Sequence, residues 1–241
     1  MKLNVEVIAA AATPSVQAVQ RATSTIPVVA ISVTDPVASG LAASLARPGG
    51  NITGLANITS DISPKLFELL KGMKPALSRV AVLANPGNST HPLYLRNIQA
   101  SAQQVGVTTV QVDARTPEDI ERGFALMLRE RAEALIVAAD AFFLAQGSQI
   151  AKLAIKNRLP SVFPFREDAL AGGLISYGPN LADIFRRAAT FVDKILKGAK
   201  PSELPFEQPI QFELVINLRT AKMLGIKMPQ TILVRADKVI E

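Results

Sequence analysis

The chain has 241 residues, 49% of them hydrophobic, and a mean hydropathy of +0.26, which is enough apolar material for one large core or two moderate ones and too much for a disordered chain. Its formal net charge of +6 is spread over Lys and Arg interleaved with Asp and Glu, and aromatics make up 5%, which leaves neither a dense basic run nor a stacking surface for nucleic acid. There is no cysteine, so disulfides and thiolate metal sites are excluded, and no apolar run reaches the roughly 20 residues that span a bilayer.

Residues 1–12 do not read as a signal peptide, because Lys2 is a feeble basic start and Asn4 and Glu6 interrupt the apolar run. Residues 3–11 read instead as a strand. Thr13 as N-cap and Pro14 at the first helical position then open a helix to about Ala22. An unbroken β-branched run, 26–33, stops at Thr34-Asp35-Pro36, where the proline removes a backbone donor and biases Asp35 away from helix. A short apolar segment, 40–45, and the break Arg47-Pro48-Gly49-Gly50-Asn51 lead to a strand over 52–56. This is the βαβ rhythm of a parallel sheet.

Ser63-Pro64 starts a helix whose Leu66, Phe67, Leu69, Leu70 and Met73 fall at helical spacing. A strand over 79–84 ends at Asn85-Pro86-Gly87-Asn88, and a helix over 92–105 and a strand over 107–112 follow. Thr116-Pro117-Glu118-Asp119 caps the next helix, to Arg129. Residues 134–139 are a strand ending at Asp140, a helix over 142–157 comes next, and 161–165 is a strand. After Gly172-Gly173 a short strand covers 174–177. Gly178-Pro179-Asn180 then caps a long helix that buries Ile184, Phe185, Ala188, Val192, Ile195 and Leu196, and Gly198 ends it. Residues 200–209, rich in Pro and Glu, are the best linker candidate. A strand over 212–216, a helix over 218–224 and an extended piece over 232–234 complete the chain. The β/α units fall into two groups without a sequence repeat.

Several blocks carry a resemblance. DPVASGLAASLARPGGNITGL (35–55), ATPS (12–15), LSRVAVLANPGN (77–88), AGGLISYGPN (171–180) and FELVINLRTAKMLGI (212–226) together resemble the substrate-binding proteins of bacterial ABC transporters, in a family that includes binders of aromatic amino acids. The resemblance implies an α/β fold of two Rossmann-like lobes with parallel sheets, of the periplasmic-binding-protein I kind, facing each other over a cleft and joined at a hinge. It assigns residues 1–57 plus 172–204 to the first lobe and 58–171 plus 205–241 to the second. Family members carry a signal peptide and two further strands before the segment matching residues 5–12, so the first lobe is expected to lack its first two strands. Val5 to Ala10 then becomes an apolar edge strand able to pair with a second copy. The resemblance places the protein in the periplasm or otherwise outside the cytoplasm; a natural start at Met1 would leave it in the cytoplasm. It also implies a membrane permease as partner, and no cofactor.

Ligands of open α/β sheets sit at the carboxyl ends of the strands, and the polar residues there are the candidates. Thr13 and Ser15, at a helix N-terminus, offer hydroxyls and N–H groups to a carboxylate, although Thr13 also suits a plain cap. Thr34 and Asp35 follow the 26–33 strand, with Asp35 able either to receive an ammonium group or simply to make its turn. Asp140 is the strongest candidate, a carboxylate ahead of the aromatic Phe142, with helix capping as the plainer alternative. Asn85 and Tyr177 fall on matched motifs at strand ends, and Phe165 suits the core better than a cleft.

Enzymatic chemistry finds little support. His91 sits on a turn without a second ligand or acid at metal spacing, which suits a surface or capping role. The nucleophile elbow, the phosphate-binding loop and the dinucleotide fingerprint are all missing. The first expectation is a binding protein for a small polar solute, an amino acid or a relative. A ligand-sensing or scaffold fragment is the second, and an α/β enzyme using Asp35 or Asp140 as base the third.

Overall fold

The computed structural model describes residues 4–57, 62–209 and 211–241. In chain order it forms β1 (Ile8–Ala11), α1 (Thr13–Ala22), β2 (Val28–Val33), β3 (Ile52–Ala56), α2 (Ser63–Met73), β4 (Arg79–Ala84) and α3 (His91–Gln104). These are followed by β5 (Thr108–Asp113), α4 (Pro117–Arg129), β6 (Ala134–Val137), α5 (Ala141–Ala145), α6 (Gly147–Lys156), β7 (Ser161–Phe163) and α7 (Arg166–Leu170). The last elements are β8 (Ile175–Pro179), α8 (Leu181–Leu196), β9 (Phe212–Asn217), α9 (Leu218–Leu224), α10 (Gln230–Leu233) and β10 (Lys238–Ile240). The chain divides into two compact units, Met1–Ile58 with Asn88–Thr90 and Asn180–Gln211, and Thr59–Gly87 with His91–Pro179 and Phe212–Glu241.

The first unit holds a parallel three-stranded sheet in the order β1-β2-β3. Its core is Ala10, Val16, Val28, Ala30, Val33, Ile52 and Phe206. Val28 to Val33 read as an almost continuous apolar run because a central parallel strand is covered on both faces. Ser32 takes a left-handed φ of 55° where the β2–β3 register shifts between Ala30 and Val33. Gly54 is required opposite that strand, since a Cβ there would stand 2.0 Å from the Ala30 carbonyl oxygen. Residues 200–209 are not a free linker. Phe206 is buried, and Glu207 bonds the backbone of Gly54 and Ala56, closing the outer edge of β3.

The strand expected over 3–11 is paired only from Ile8, and Leu3 lies outside the described residues. β1 bonds β2 through Ile8 and Ala12, so the backbone groups of Val7, Ala9 and Ala11 face outward, and no other described strand pairs with that side. The α8 stripe is also rotated from the expected one. Leu181, Ile184, Ala188, Phe191 and Ile195 are buried, whereas Phe185 is 49% and Leu196 55% exposed.

The second unit is a seven-stranded sheet, β10-β9-β8-β7-β6-β4-β5, parallel except for the β8–β9 pair. Leu66, Phe67, Leu70, Ile98 and Ile232 cover one face, and Ile120, Phe124, Met127, Phe143 and Ile150 the other. The expected lobe boundary at 172 therefore moves to Asn180, because β8 is bonded into this sheet on both sides. Thr116 and Asp119 form a reciprocal capping box at the start of α4. The helix expected over 142–157 is broken into α5 and α6 at Gln146, the extended piece expected over 232–234 lies on α10 and the turn after it, and the final strand is Lys238–Ile240.

Candidate functional site

In the second unit β4 leads through α3 to β5 on one side, and the chain then crosses back to β6 on the other, so the strand order reverses between β4 and β6. Such a reversal leaves a crevice at the carboxyl ends of the two strands. Asn85 follows β4 and Asp140 follows β6, and the two meet there: the Asn85 Nδ2 donates to both Asp140 carboxylate oxygens at 3.3 Å. Asp140 is 6% exposed, and its Oδ1 accepts the Phe142 N–H at 2.8 Å. It is thus both the cap of α5 and a partner of Asn85. Asn85 also shapes its own turn, its Oδ1 accepting the Gly87 N–H at 2.9 Å.

His91 belongs to the same crevice. Rather than lying at the surface, it is 3% exposed and is the first residue of α3, with Nδ1 accepting the Asn85 N–H at 2.8 Å and Nε2 at 3.2 Å from the Ala139 carbonyl oxygen. Because a carbonyl only accepts, the ring is neutral with its proton on Nε2. Burial lowers its pKa from the ordinary value, against the pull of the Asp140 and Asp113 carboxylates. The signal available in the sequence was the short Asn85-to-Pro92 loop, which brings the ring back to the strand end.

Phe142 is half-buried, its ring tilted against Phe143 at 5.4 Å, so it closes the flank of a core more than it offers a free face. Tyr177 stacks on Phe212 at 5.8 Å. It borders a small apolar hollow shared with Tyr94, Ala139, Phe163 and Pro164, one residue from Asp140 along the chain. Burial raises the Tyr177 hydroxyl pKa, with Glu68 and Asp237 adding to the shift. Gly178 fixes this strand end, since a Cβ there would meet the Pro164 carbonyl oxygen at 1.9 Å. Phe165 is buried, as expected of a core residue.

In the first unit the polar groups also gather at strand ends. Thr13 is 2% exposed but is not the cap of α1. Ala12 holds that position at φ 68°, and the Thr13 Oγ1 turns to accept the Thr34 N–H at 3.0 Å. Pro14 accordingly sits one place further into the helix. The Thr34 hydroxyl donates to Asn57 Oδ1 at 3.0 Å, and Asn57 Nδ2 donates to the Ser32 carbonyl at 3.1 Å, so one buried relay ties together the ends of β2, β3 and α1. Asp35, at φ 41°, bonds the Ala38 N–H at 2.9 Å within its own turn. Ser15 is exposed on the first turn of α1. Thr13 and Thr34 are therefore brought together in this unit, and Asn85 and Asp140 in the other.

Among the described residues no group of three or more His, Cys, Asp or Glu side chains could hold a metal ion, and no helix is long and apolar enough to cross a membrane. The fold is an α/β one with parallel-dominated sheets and polar clusters at its strand ends. Residues 1–240 match the family described as ABC transporter substrate binding protein, and the chain belongs to that family, whose members bind solutes outside the cytoplasm and are not enzymes. A tyrosine-binding protein of Clostridioides difficile (strain R20291) is 25% identical over 222 residues, covering 92% of this chain; the chain spans 64% of that relative's length. A conserved domain protein of Vibrio cholerae O1 biovar El Tor superposes with a TM-score of 0.92 at 28% identity, over 98% of this chain and 79% of the other. An ABC domain of Streptococcus pneumoniae, solved with L-Trp, gives 0.89 at 25% identity, over 98% and 81%.

Proposed function

We propose that this chain captures an aromatic amino acid, of the L-tryptophan and L-tyrosine class, outside the cytoplasm and hands it to a membrane permease. The observation that carries the reading is the Asn85–Asp140 pair at the switch point, a nearly buried carboxylate suited to an ammonium group. The Tyr177 ring, beside the small hollow next to Ala139, supplies apolar surface on the same unit.

Thermal unfolding with a panel of amino acids tests this. A ligand that binds only the native state at a hundredfold excess over its Kd raises the melting point by about 5 °C or more in a chain of this size. The expected responders are L-tryptophan and L-tyrosine; a panel in which neither shifts the transition overturns the assignment.

The open edge of β1 supports a second element of the proposal, association of two copies through the edge at residues 5–10, of which Ile8 to Ala10 lie in the strand. It carries no lysine, proline or bulge to discourage pairing, only Glu6 at its start. Light scattering is expected to show a mass that rises with concentration in the parent chain and stays monomeric in Ala9→Lys, whose new side chain is exposed. A parent chain monomeric throughout removes this element.

A further inference from the structure

His91 is the chain's only histidine, and it joins the two turns that frame the switch point. Its Nδ1 accepts a hydrogen bond from the backbone N–H of Asn85, after β4, and its Nε2 faces the carbonyl of Ala139, directly before Asp140. The neutral ring is therefore a strap holding Asn85 where its amide reaches both Asp140 oxygens. Adding a proton to Nδ1 sets two donors against each other, the ring N–H and the Asn85 N–H, 2.8 Å apart. That arrangement is repulsive, and one of the two turns must shift.

We propose that His91, acting through Asn85, is the positioning residue of this site and makes solute capture sensitive to mild acid: the neutral ring holds the Asn85–Asp140 pair in its binding geometry, and the protonated ring releases it. The inference rests on the reading of Asn85 and Asp140 as solute contacts. The groups facing the ring are the Asp140 and Asp113 carboxylates, which favour its protonation, and the Tyr94 ring at 6.2 Å, whose hydroxyl burial keeps protonated. Burial outweighs the carboxylates, so the ring charges only on the acid side of its ordinary range. The neutral ring is a native-state preference, and its contribution to the geometry is present above that range and lost as the pH falls.

Two measurements on the whole chain test this. In the first, calorimetric titration with L-tryptophan from pH 7.5 to 5 is expected to show affinity falling about tenfold for each pH unit below the midpoint of the ring, since only the neutral fraction is competent. The ammonium and carboxylate of the probe do not titrate in that range. His91→Asn, which keeps an acceptor for the Asn85 N–H but cannot take a proton, is expected to bind with little pH dependence. An affinity that is flat in the parent chain, or equally steep in His91→Asn, overturns the proposal.

The second measurement needs no ligand. With a single histidine, its ring resonances report tautomer and midpoint directly. The proposal requires that the neutral ring be the Nε2–H tautomer, that its midpoint lie below the ordinary value of 6.5, and that the Asn85 amide resonance move with the same midpoint. An Nδ1–H tautomer, or a midpoint at or above 6.5, overturns it. If L-tryptophan binds at no pH while the ring behaves as required, it is the amino-acid assignment that fails and not the strap.

Discussion

Replacing Asp140 by asparagine is expected to weaken L-tryptophan binding about 30- to 100-fold while leaving the fold in place. The carboxylate is nearly buried at a reversal in strand order and already holds Asn85 and the Phe142 N–H. A charge-assisted hydrogen bond to an ammonium group in such a place contributes about 2 to 2.7 kcal/mol, which converts to that range of affinity. Asparagine keeps an oxygen for the Phe142 N–H, so the cap of α5 survives and the unfolding free energy changes by about 1 kcal/mol or less. Asp140→Ala removes cap and charge together and is expected to lose both stability and binding. Calorimetric titration and denaturant unfolding, run on both variants, separate the two effects. Asparagine at 140 with parental affinity would leave Asp140 as a cap and nothing more.

The strands most legible in the sequence are those covered on both faces. After Arg79, Val80 to Ala84 is unbroken apolar sequence because β4 lies between β5 and β6, and its limits are legible directly in the residues. Edge elements were harder to read. Ile232, Leu233 and Val234 have strand-like side chains, yet Pro229 leads into a helical turn and Ile232 packs onto Gly72 of α2, while the true edge strand is the short, mostly exposed Lys238–Ile240. In α8 the apolar positions outnumber those a single stripe can bury. Only the packing against the sheet decides that Phe191 goes in and Phe185 stays out.

Site residues follow the same division between local and distant causes. Turns made by one segment are visible in that segment: Asp35 bonding Ala38, Asn85 bonding Gly87 and Asp140 capping α5 are all contacts within three residues. What the local pattern does not contain is the second partner. Thr13 looks like a cap until the left-handed Ala12 takes that place and the hydroxyl turns to Thr34, 21 residues on. His91 looks like a surface residue until Ala139, 48 residues on, is seen beside its Nε2. The Asn85–Asp140 pair spans 55 residues and follows from topology, because only the reversal of strand order puts those two turns side by side.

Asp168→Asn is expected to stabilise the chain by several kcal/mol at pH 8 and by little at pH 4. Asp168 is 2% exposed, at the third position of α7, with Gly147 packed so closely that a Cβ there would stand 2.7 Å from its Oδ1. Burial pushes its pKa up from 3.8 to about 8; the Phe165 N–H opposes the shift and Glu167 adds to it. The folded state therefore prefers the protonated acid. The stability that this acid contributes is complete below about pH 4 and is lost as the pH rises through about 8. Over that interval each pH unit costs about 1.4 kcal/mol, because the unfolded chain gives up a proton that the folded chain keeps. Asparagine has no charge to bury and keeps an oxygen for the Phe165 N–H, so its unfolding free energy should stay level while that of the parent chain falls. Guanidinium unfolding at pH 4, 6 and 8 measures the gap between the two. A gap that does not widen with pH would mean that the Asp168 carboxyl ionises in the folded chain as readily as in the unfolded one.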